Sequence, residues 1–353
     1  HPRLAPMTLI AISWDDAAGR DGRGAVRLID QTLLPGTVVD RVTDTTDDLV
    51  EAIAVLAVRG APALGVAGAM GVVVAMDEGA REGWDEARIQ AAVDRVRDAR
   101  PTAVNLAWGV DQVRPLMGNG RDAVLAAARQ LAAEDEAANR ELSRLGADWL
   151  LSRIDRPRLR VLTHCNTGSL ATSAWGTALG VIRELHARDR IELVYADETR
   201  PLLQGARLTA FELEQDGIPH VVQVDGAAAS TILRGLVDFA VVGADRIAAN
   251  GDAANKIGTL GVALACRDAD IPFMVAAPWS TVDLSMADGS GIEIEERSGE
   301  EITSIGGVRV APAGSGGFNP AFDVTPARLV DAVATERGVA QPRSGQDLWS
   351  IAP

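Results

Sequence analysis

Leu159-Arg160-Val161-Leu162-Thr163-His164-Cys165-Asn166-Thr167-Gly168 decides the fold: an apolar run of strand length ends in a cluster of polar and small residues. The pattern recurs downstream. Residues 191–196 run into Asp197-Glu198-Thr199-Arg200, 221–224 into Asp225-Gly226, 239–242 into Gly243-Ala244-Asp245-Arg246, and 272–276 into Ala277-Pro278. Each run is continuous rather than alternating, as in strands buried on both faces. The stretches 169–188, 204–215, 227–236 and 257–268 read as helices. Strands alternating with helices specify the α/β class, with a parallel sheet covered on both sides. In such sheets the ligand crevice lies outside the carboxyl ends of the strands. Polar turns scattered in sequence are therefore expected to converge on one place.

The chain has 353 residues, 47% of them hydrophobic, which is enough to fill a core. Its 34 Lys and Arg face 49 Asp and Glu, a net charge of -15. That balance repels phosphate backbones and anionic lipid, so no nucleic acid and no membrane is expected as a partner. An anionic small molecule would need a local cluster of cations. Two cysteines, Cys165 and Cys266, are too few for a disulfide framework, and no charged-then-apolar leader precedes Ser13, so a cytoplasmic location is expected. The apolar run 61–76 is shorter than the ~20 residues of a membrane span and rich in small residues, and it reads as a buried helix.

Four histidines without paired spacing argue against zinc. No Gly-x-Gly-x-x-Gly follows any strand and no Walker A segment is present, so no metal and no cofactor is expected. Residues 121–152 read as one long Ala-rich, charged helix beginning after the turn Gly118-Asn119-Gly120. The expected division is an N-terminal domain of residues 1–128 and a C-terminal domain of 129–353. Residues 314–317 read as a flexible surface loop, and residues 1–6 carry no structural signal.

Cys165 follows a strand and precedes what reads as a helix start, where open amide donors and the helix dipole favour an anion and a thiolate. The opposing interpretation is a buried apolar cysteine, which suits Cys266 in its Ala-rich helix. Neighbouring His164 could tune Cys165, but adjacent strand residues point to opposite faces, against a Cys-His dyad. Asp245 takes the same place after another strand, where a carboxyl in a dry crevice can act as an acid. Helix capping explains Asp245 poorly, because the next helix reads as opening near Ala254. Asn255 and Lys256 then begin that helix, and Lys256 is the single lysine of the chain. A lysine at a helix N-terminus suits a phosphate. Arg59-Gly60-Ala61-Pro62 and Arg100-Pro101-Thr102 each set an arginine beside a backbone turn, although each alone is more often a surface charge. The set fits acid/base chemistry on a small phosphorylated molecule.

The segments RGAPALGV (59–66), RPTAVNL (100–106), CNTGSLAT (165–172), DETRPLLQGARLT (197–209), GADR (243–246), NKIGT (255–259) and NPAFDVTP (319–326) resemble the methylthioribose-1-phosphate isomerases of methionine salvage. That family is related to ribose-1,5-bisphosphate isomerases and to regulatory subunits of the exchange factor for eukaryotic initiation factor two. The resemblance implies a smaller, largely helical N-terminal domain, a Rossmann-like C-terminal domain with a parallel sheet, and a homodimer. It implies Cys165 and Asp245 as the catalytic pair. It implies Arg59, Gly60, Ala61, Arg100, Gln204, Asn255 and Lys256 as holders of the substrate and its phosphate. The implied reaction converts an aldose 1-phosphate into a ketose 1-phosphate. The alternatives are another 1-phosphosugar (ribose 1,5-bisphosphate or 5-deoxyribose 1-phosphate), or a regulatory subunit that binds a sugar phosphate or nucleotide without turnover.

Overall fold

A computed structural model describes residues 9–353, so residues 1–6 lie outside the described residues. The chain divides into two compact units. One comprises residues up to 140 together with 167–176, and the other 141–166 together with 177–353. The expected linker is a single 33-residue helix, α5 (Arg121–Arg153), which contributes residues to both units.

In the first unit, β1 (Ile12–Asp15), β2 (Ala25–Ile29) and β3 (Asp40–Thr43) form an antiparallel sheet in that order. Four helices follow: α1 (Thr46–Ala54), α2 (Ala61–Glu82), α3 (Glu86–Arg97) and α4 (Val104–Val113). By length and composition α2 could cross a membrane, but 83% of its apolar window is buried inside the protein. It is the core helix of this unit, packed among Ile53, Val93, Leu106 and Val110. Small residues let α2 and α4 touch backbone to backbone within their first turns, since Gly65 meets Asn105 and Trp108 and Gly68 meets the Leu106 carbonyl. The arginine-bearing turns that precede the two helices therefore lie at the same end of the unit.

The second unit is built on a seven-stranded sheet. In chain order its strands are β4 (Leu159–Thr163), β5 (Ile191–Asp197), β6 (His220–Gln223), β7 (Phe239–Val242), β10 (Phe273–Ala276), β15 (Ala332–Thr335) and β16 (Gly338–Ala340). Across the sheet the order is β16-β15-β10-β7-β4-β5-β6, all parallel except β16. The chain builds outward from β4 to β6, then returns to β7 on the other side of β4 and builds the opposite way. The reversal falls between β4 and β7.

Alternate residues fill two cores, as the two-residue period of a strand requires. Phe239 and Val241 pack with α5 and α6 (Ala178–Ala187), whereas Ala240 and Val242 pack with α8 (Ala228–Leu233) and α9 (Thr259–Asp268). The expectation of burial on both faces fails at β6. It is an edge strand, and its Val221 and Val222 are 41% and 44% exposed. A four-stranded sheet, unforeseen from sequence, follows β7. Its order is β11 (Val282–Asp283), β8 (Arg246–Ala248), β9 (Ala253–Lys256), β14 (Phe322–Thr325). Between β11 and β14 lie α10 (Glu300–Thr303) and the hairpin β12 (Ser304–Ile305) and β13 (Val308–Arg309).

A Cβ added at Gly109 would stand 1.9 Å from the Gly65 carbonyl oxygen, and backbone cannot swing aside. Gly109→Ala is expected to force α2 and α4 apart and to cost about 1–3 kcal/mol of stability in denaturant titration.

Candidate active site

Cys165 leaves the end of β4 with φ 66° and Thr199 leaves the end of β5 with φ 65°, both in the left-handed region that residues with a Cβ seldom adopt. They are bonded to one another. The Cys165 N–H donates to Thr199 Oγ1 at 2.9 Å, and that hydroxyl donates to the Asp197 carbonyl at 2.9 Å. The Cys165 carbonyl accepts from Thr209 Oγ1 at 2.6 Å. Asn166 donates to Glu212 at 2.9 Å, and Glu212 is paired with the buried Arg183 at 2.9 Å. The turn bearing the thiol is thus fixed by hydroxyls and carboxylates of the segment after β5. Strain stored at one residue and secured by its neighbours is a mark of functional sites.

The expected helix start beside Cys165 is corrected. Residues Ser169–Ala171 form one short turn, and α6 begins only at Ala178, because Trp175 and Gly176 take φ 70° and 86° and interrupt the helix. The helix-dipole argument for a thiolate therefore falls away, and a hydrogen-bonded, left-handed turn stands where the helix start was expected. Cys266 matches the structural interpretation. It is buried in α9, and burial pushes its thiol pKa up.

Asp245 follows β7, and its N–H donates to the Ala254 carbonyl at 2.9 Å, tying it to β9. Because β7 and β4 are hydrogen-bonded neighbours, Asp245 and Cys165 leave adjacent strands at their carboxyl ends. Asn255 and Lys256 do not open a helix. They end β9, which is held on one side by β8 and on the other by β14, with Lys256 opposite Phe322. Gly258, at φ 106°, breaks the strand before α9 starts at Thr259. The amides of Gly258, just before α9, and Leu260, in its first turn, donate to the Asp323 carboxylate at 2.8 and 3.1 Å, so a β14 side chain caps the helix. Asn255 donates to Thr259 Oγ1 at 3.0 Å, and the Lys256 ammonium stands 4.4 Å from the Phe322 ring centre.

Gln204 precedes a wide helical segment, Gly205–Thr209, that leads into α7 (Ala210–Gln215). It is 5% exposed and its Oε1 has no hydrogen-bond partner among the described residues. Arg59, Gly60, Ala61 and Arg100 belong to the other unit, at the starts of α2 and α4. Gly60 is the residue before α2 and lies against the Ala171 backbone.

Sequence reasoning missed the polar centre beneath these turns. His164, 1% exposed, places Nδ1 2.9 Å from Asp197 Oδ2 and Nε2 2.8 Å from the Ile257 carbonyl. Asp197 also accepts from Gln223 at 2.8 Å, and Asp225 accepts the Thr199 and Arg200 amides at 2.7 and 2.6 Å. The ligand atoms of His164, Asp197 and Asp225 lie within 4.8 Å of one another, close enough to hold an ion, but each is engaged in a hydrogen bond. The clue was present in the sequence, since both carboxylates stand at the ends of apolar strands. Burial disfavours charge on His164, but the bond to Asp197 and its negative field prevail, so the His164 pKa is raised above 6.5. Burial likewise pushes Asp197 up.

Outside that centre, Arg297 holds Glu301 through two nitrogens at 2.6 and 3.0 Å, and Asn319 donates to the same carboxylate at 2.9 Å. Burial works against the Glu301 charge, but these bonds outweigh it and keep its pKa low. Arg200 reaches the carbonyls of Glu301 and Ile302.

Residues 57–342 match the model of the initiation factor 2 subunit family. Methylthioribose-1-phosphate isomerase of Anaeromyxobacter sp. (strain Fw109-5) is 50% identical over 349 residues, covering 99% of each chain. A probable bifunctional methylthioribose-1-phosphate isomerase/methylthioribulose-1-phosphate dehydratase of Nocardia farcinica is 52% identical over 338 residues, 95% of this chain; the match spans only 60% of that longer protein. Among solved structures, 5-methylthioribose 1-phosphate isomerase from Pyrococcus horikoshii OT3 superposes with a TM-score of 0.84 at 36% identity over 96% of both chains. A chain described as translation initiation factor eIF-2B subunit delta, from A. fulgidus, superposes with a TM-score of 0.83 at 38% identity, over 97% of this chain and 99% of that one.

Two measurements test this geometry. In the left-handed region a Cβ costs about 1–2 kcal/mol, partly offset by the greater freedom of unfolded glycine. Cys165→Ala is therefore expected to be less stable than Cys165→Gly by about 1 kcal/mol. For His164 the folded pKa lies above the unfolded value of 6.5, so its contribution is complete below that pH and is lost as pH rises through the folded pKa. The Tm of the native chain is expected to fall over that window, and His164→Asn to flatten the fall. By family match and by relatives covering nearly its whole length, the chain belongs to the initiation factor 2 subunit family and, within it, to the methylthioribose-1-phosphate isomerases.

Proposed function

We propose that this chain isomerises 5-methylthioribose 1-phosphate to 5-methylthioribulose 1-phosphate in methionine salvage, with Cys165 and Asp245 as the catalytic pair. The observation that carries this reading is their placement after β4 and β7, the neighbouring strands at which the sheet order reverses. Such a switch point is where α/β sheets take their ligands. In order of appearance the parallel strands run 3-2-1-4-5-6, which supports a Rossmann-like C-terminal domain. We place the domain boundary along α5, after a smaller N-terminal domain. A cytoplasmic homodimer belongs to the same reading.

The substrate poses a specific difficulty: its C1 phosphate locks the ring as a glycosyl ester, so no free aldehyde forms spontaneously. In this mechanism Asp245, as the carboxylic acid, gives its proton to the ring oxygen while the C1 to ring-oxygen bond breaks. Asp245, now a carboxylate, then takes the C2 hydroxyl proton as the C2 hydrogen moves to C1. That movement is either a direct hydride shift in a site shaped by Cys165, or removal by the Cys165 thiolate and return to C1. Both leave a C2 ketone and a CH2 phosphate, with Asp245 protonated again. Gln204, Asn255 and Lys256 hold the substrate and its phosphate, and the same role is proposed for Arg59, Gly60, Ala61 and Arg100. The compact ammonium of Lys256 suits a phosphate oxygen.

Phosphorus and proton NMR tests the reading, with methylthioribose 1-phosphate run beside ribose 1,5-bisphosphate and 5-deoxyribose 1-phosphate. The expected result is selective formation of the methylthio ketose, lost by about 100-fold or more in Cys165→Ala. Preference for another sugar keeps the chemistry and changes the substrate. No turnover of any of the three sinks the isomerase and favours a regulatory binder. Deuterium at C2 separates the two routes: complete washout rules out the hydride shift, and full retention counts against proton abstraction.

A further inference from the structure

His164 touches neither Asp245 nor the phosphate-binding side chains through any bond described above, yet its ring joins the segments that carry them. Both of its nitrogens face acceptors, a carboxylate oxygen at Nδ1 and a backbone carbonyl at Nε2. A neutral imidazole has one N–H and could satisfy only one of them. The Asp225 carboxyl stands close to the same centre, its oxygen within 4.8 Å of the ligand atoms of Asp197 and His164. Each carboxylate also binds a different part of the site. Asp197 takes the Gln223 side chain of β6, Asp225 takes the Thr199 and Arg200 amides after β5, and Asp323 takes the Gly258 and Leu260 amides at the start of α9. One buried ring thus stands beside the Asp197 and Asp225 carboxyls, which together with Asp323 bind three separate segments. Gly258 closes against that ring, since a Cβ there would lie 2.8 Å from His164 Cε1.

We infer that His164 is a positioning residue for the isomerisation, held as a buried imidazolium that ties the turn bearing Cys165 to the turn that follows Asn255 and Lys256 at the end of β9. The inference rests on the function proposed above. Its consequence is directional. The Cys165 turn is secured independently by the Thr199 and Thr209 hydroxyls, whereas the carbonyl that His164 grips directly is that of Ile257, the residue after Lys256. Loss of the ring should therefore loosen the substrate-holding turn more than the thiol.

The experiment has two arms on the full chain. Nitrogen NMR of 15N-histidine-labelled protein at pH 7.5 is expected to show protons on both ring nitrogens of His164, with one lost in Asp197→Asn. A single N–H in the native chain overturns the imidazolium. Steady-state kinetics of His164→Gln is expected to raise KM for the phosphosugar about ten-fold while kcat stays within about three-fold. A fall in kcat at unchanged KM overturns the link to the Lys256 turn, and unchanged kinetics with only a lowered Tm reduces His164 to a structural part. If His164→Gln does not fold, Gly258→Ala pushes on the same ring and is expected to give the same rise in KM. A native chain that turns over no phosphosugar sinks the isomerase reading instead, while the nitrogen NMR still decides the charge on His164.

Discussion

Asp197 is a carboxylate buried at the end of a central strand, and the carboxyl end of the sheet is arranged around keeping it satisfied. A buried charge without partners is strongly disfavoured. Here every acceptor is used: the side chain meets His164 and Gln223, and the backbone carbonyl meets the Thr199 hydroxyl. Gly205 lies so close to that carbonyl that any side chain there would collide with it. Each partner of Asp197 comes from a different strand end, so satisfying one carboxylate brings β4, β5 and β6 into a fixed relation where the candidate chemistry lies.

The left-handed conformations of Cys165 and Thr199 follow from this arrangement. An extended chain leaving β4 would carry the thiol onward, whereas the left-handed turn lets the Cys165 amide reach back to Thr199. Two such residues cost about 1–2 kcal/mol each, comparable with what the Thr199 and Thr209 hydrogen bonds return at about 1 kcal/mol each. The balance is close, which is why the turn needs the deeper support of Glu212 and Arg183. Glu212 is fully buried, and its two oxygens divide between Asn166 and Arg183. The thiol is therefore held on a rigid frame, as the catalytic role proposed for Cys165 requires.

The central strands were legible because burial on both faces leaves uninterrupted apolar runs, and β7 falls on its expected residues. The edge strand β6 has the same apolar composition without the burial, so composition alone misjudged its surroundings. Strands β8, β9 and β14 escaped for a different reason. They are three and four residues long, and β9 pairs with β14 some 70 residues away in the sequence, so no local period marks them. That pairing also explains why Lys256 was mistaken for a helix residue: the helix signal of α9 is real, but the long-range ladder claims the residues just before it. Cys165 and Asp245 were singled out because residues after strands in such sheets face the crevice whatever their local structure. His164 was misjudged because alternation along a strand says which way a ring points, and says nothing about the carboxylates that β5, β6 and β14 bring to meet it.

The solitary lysine takes on its meaning in this setting. The chain is acidic overall, and three of its buried or half-buried arginines are neutralised within the fold, Arg183 by Glu212 and Asp216, Arg160 by Asp238 and Arg297 by Glu301. A guanidinium seeks such forked partners, so an arginine at position 256 would be drawn toward the nearby carboxylates. Glu301 feels the Lys256 charge, but its oxygens are committed to Arg297 and Asn319. The ammonium rests over the Phe322 ring at 4.4 Å, a contact that steadies a cation without consuming its hydrogen-bond donors. A point charge over an aromatic face, on a strand held from both sides, is what the substrate-holding role proposed for Lys256 requires.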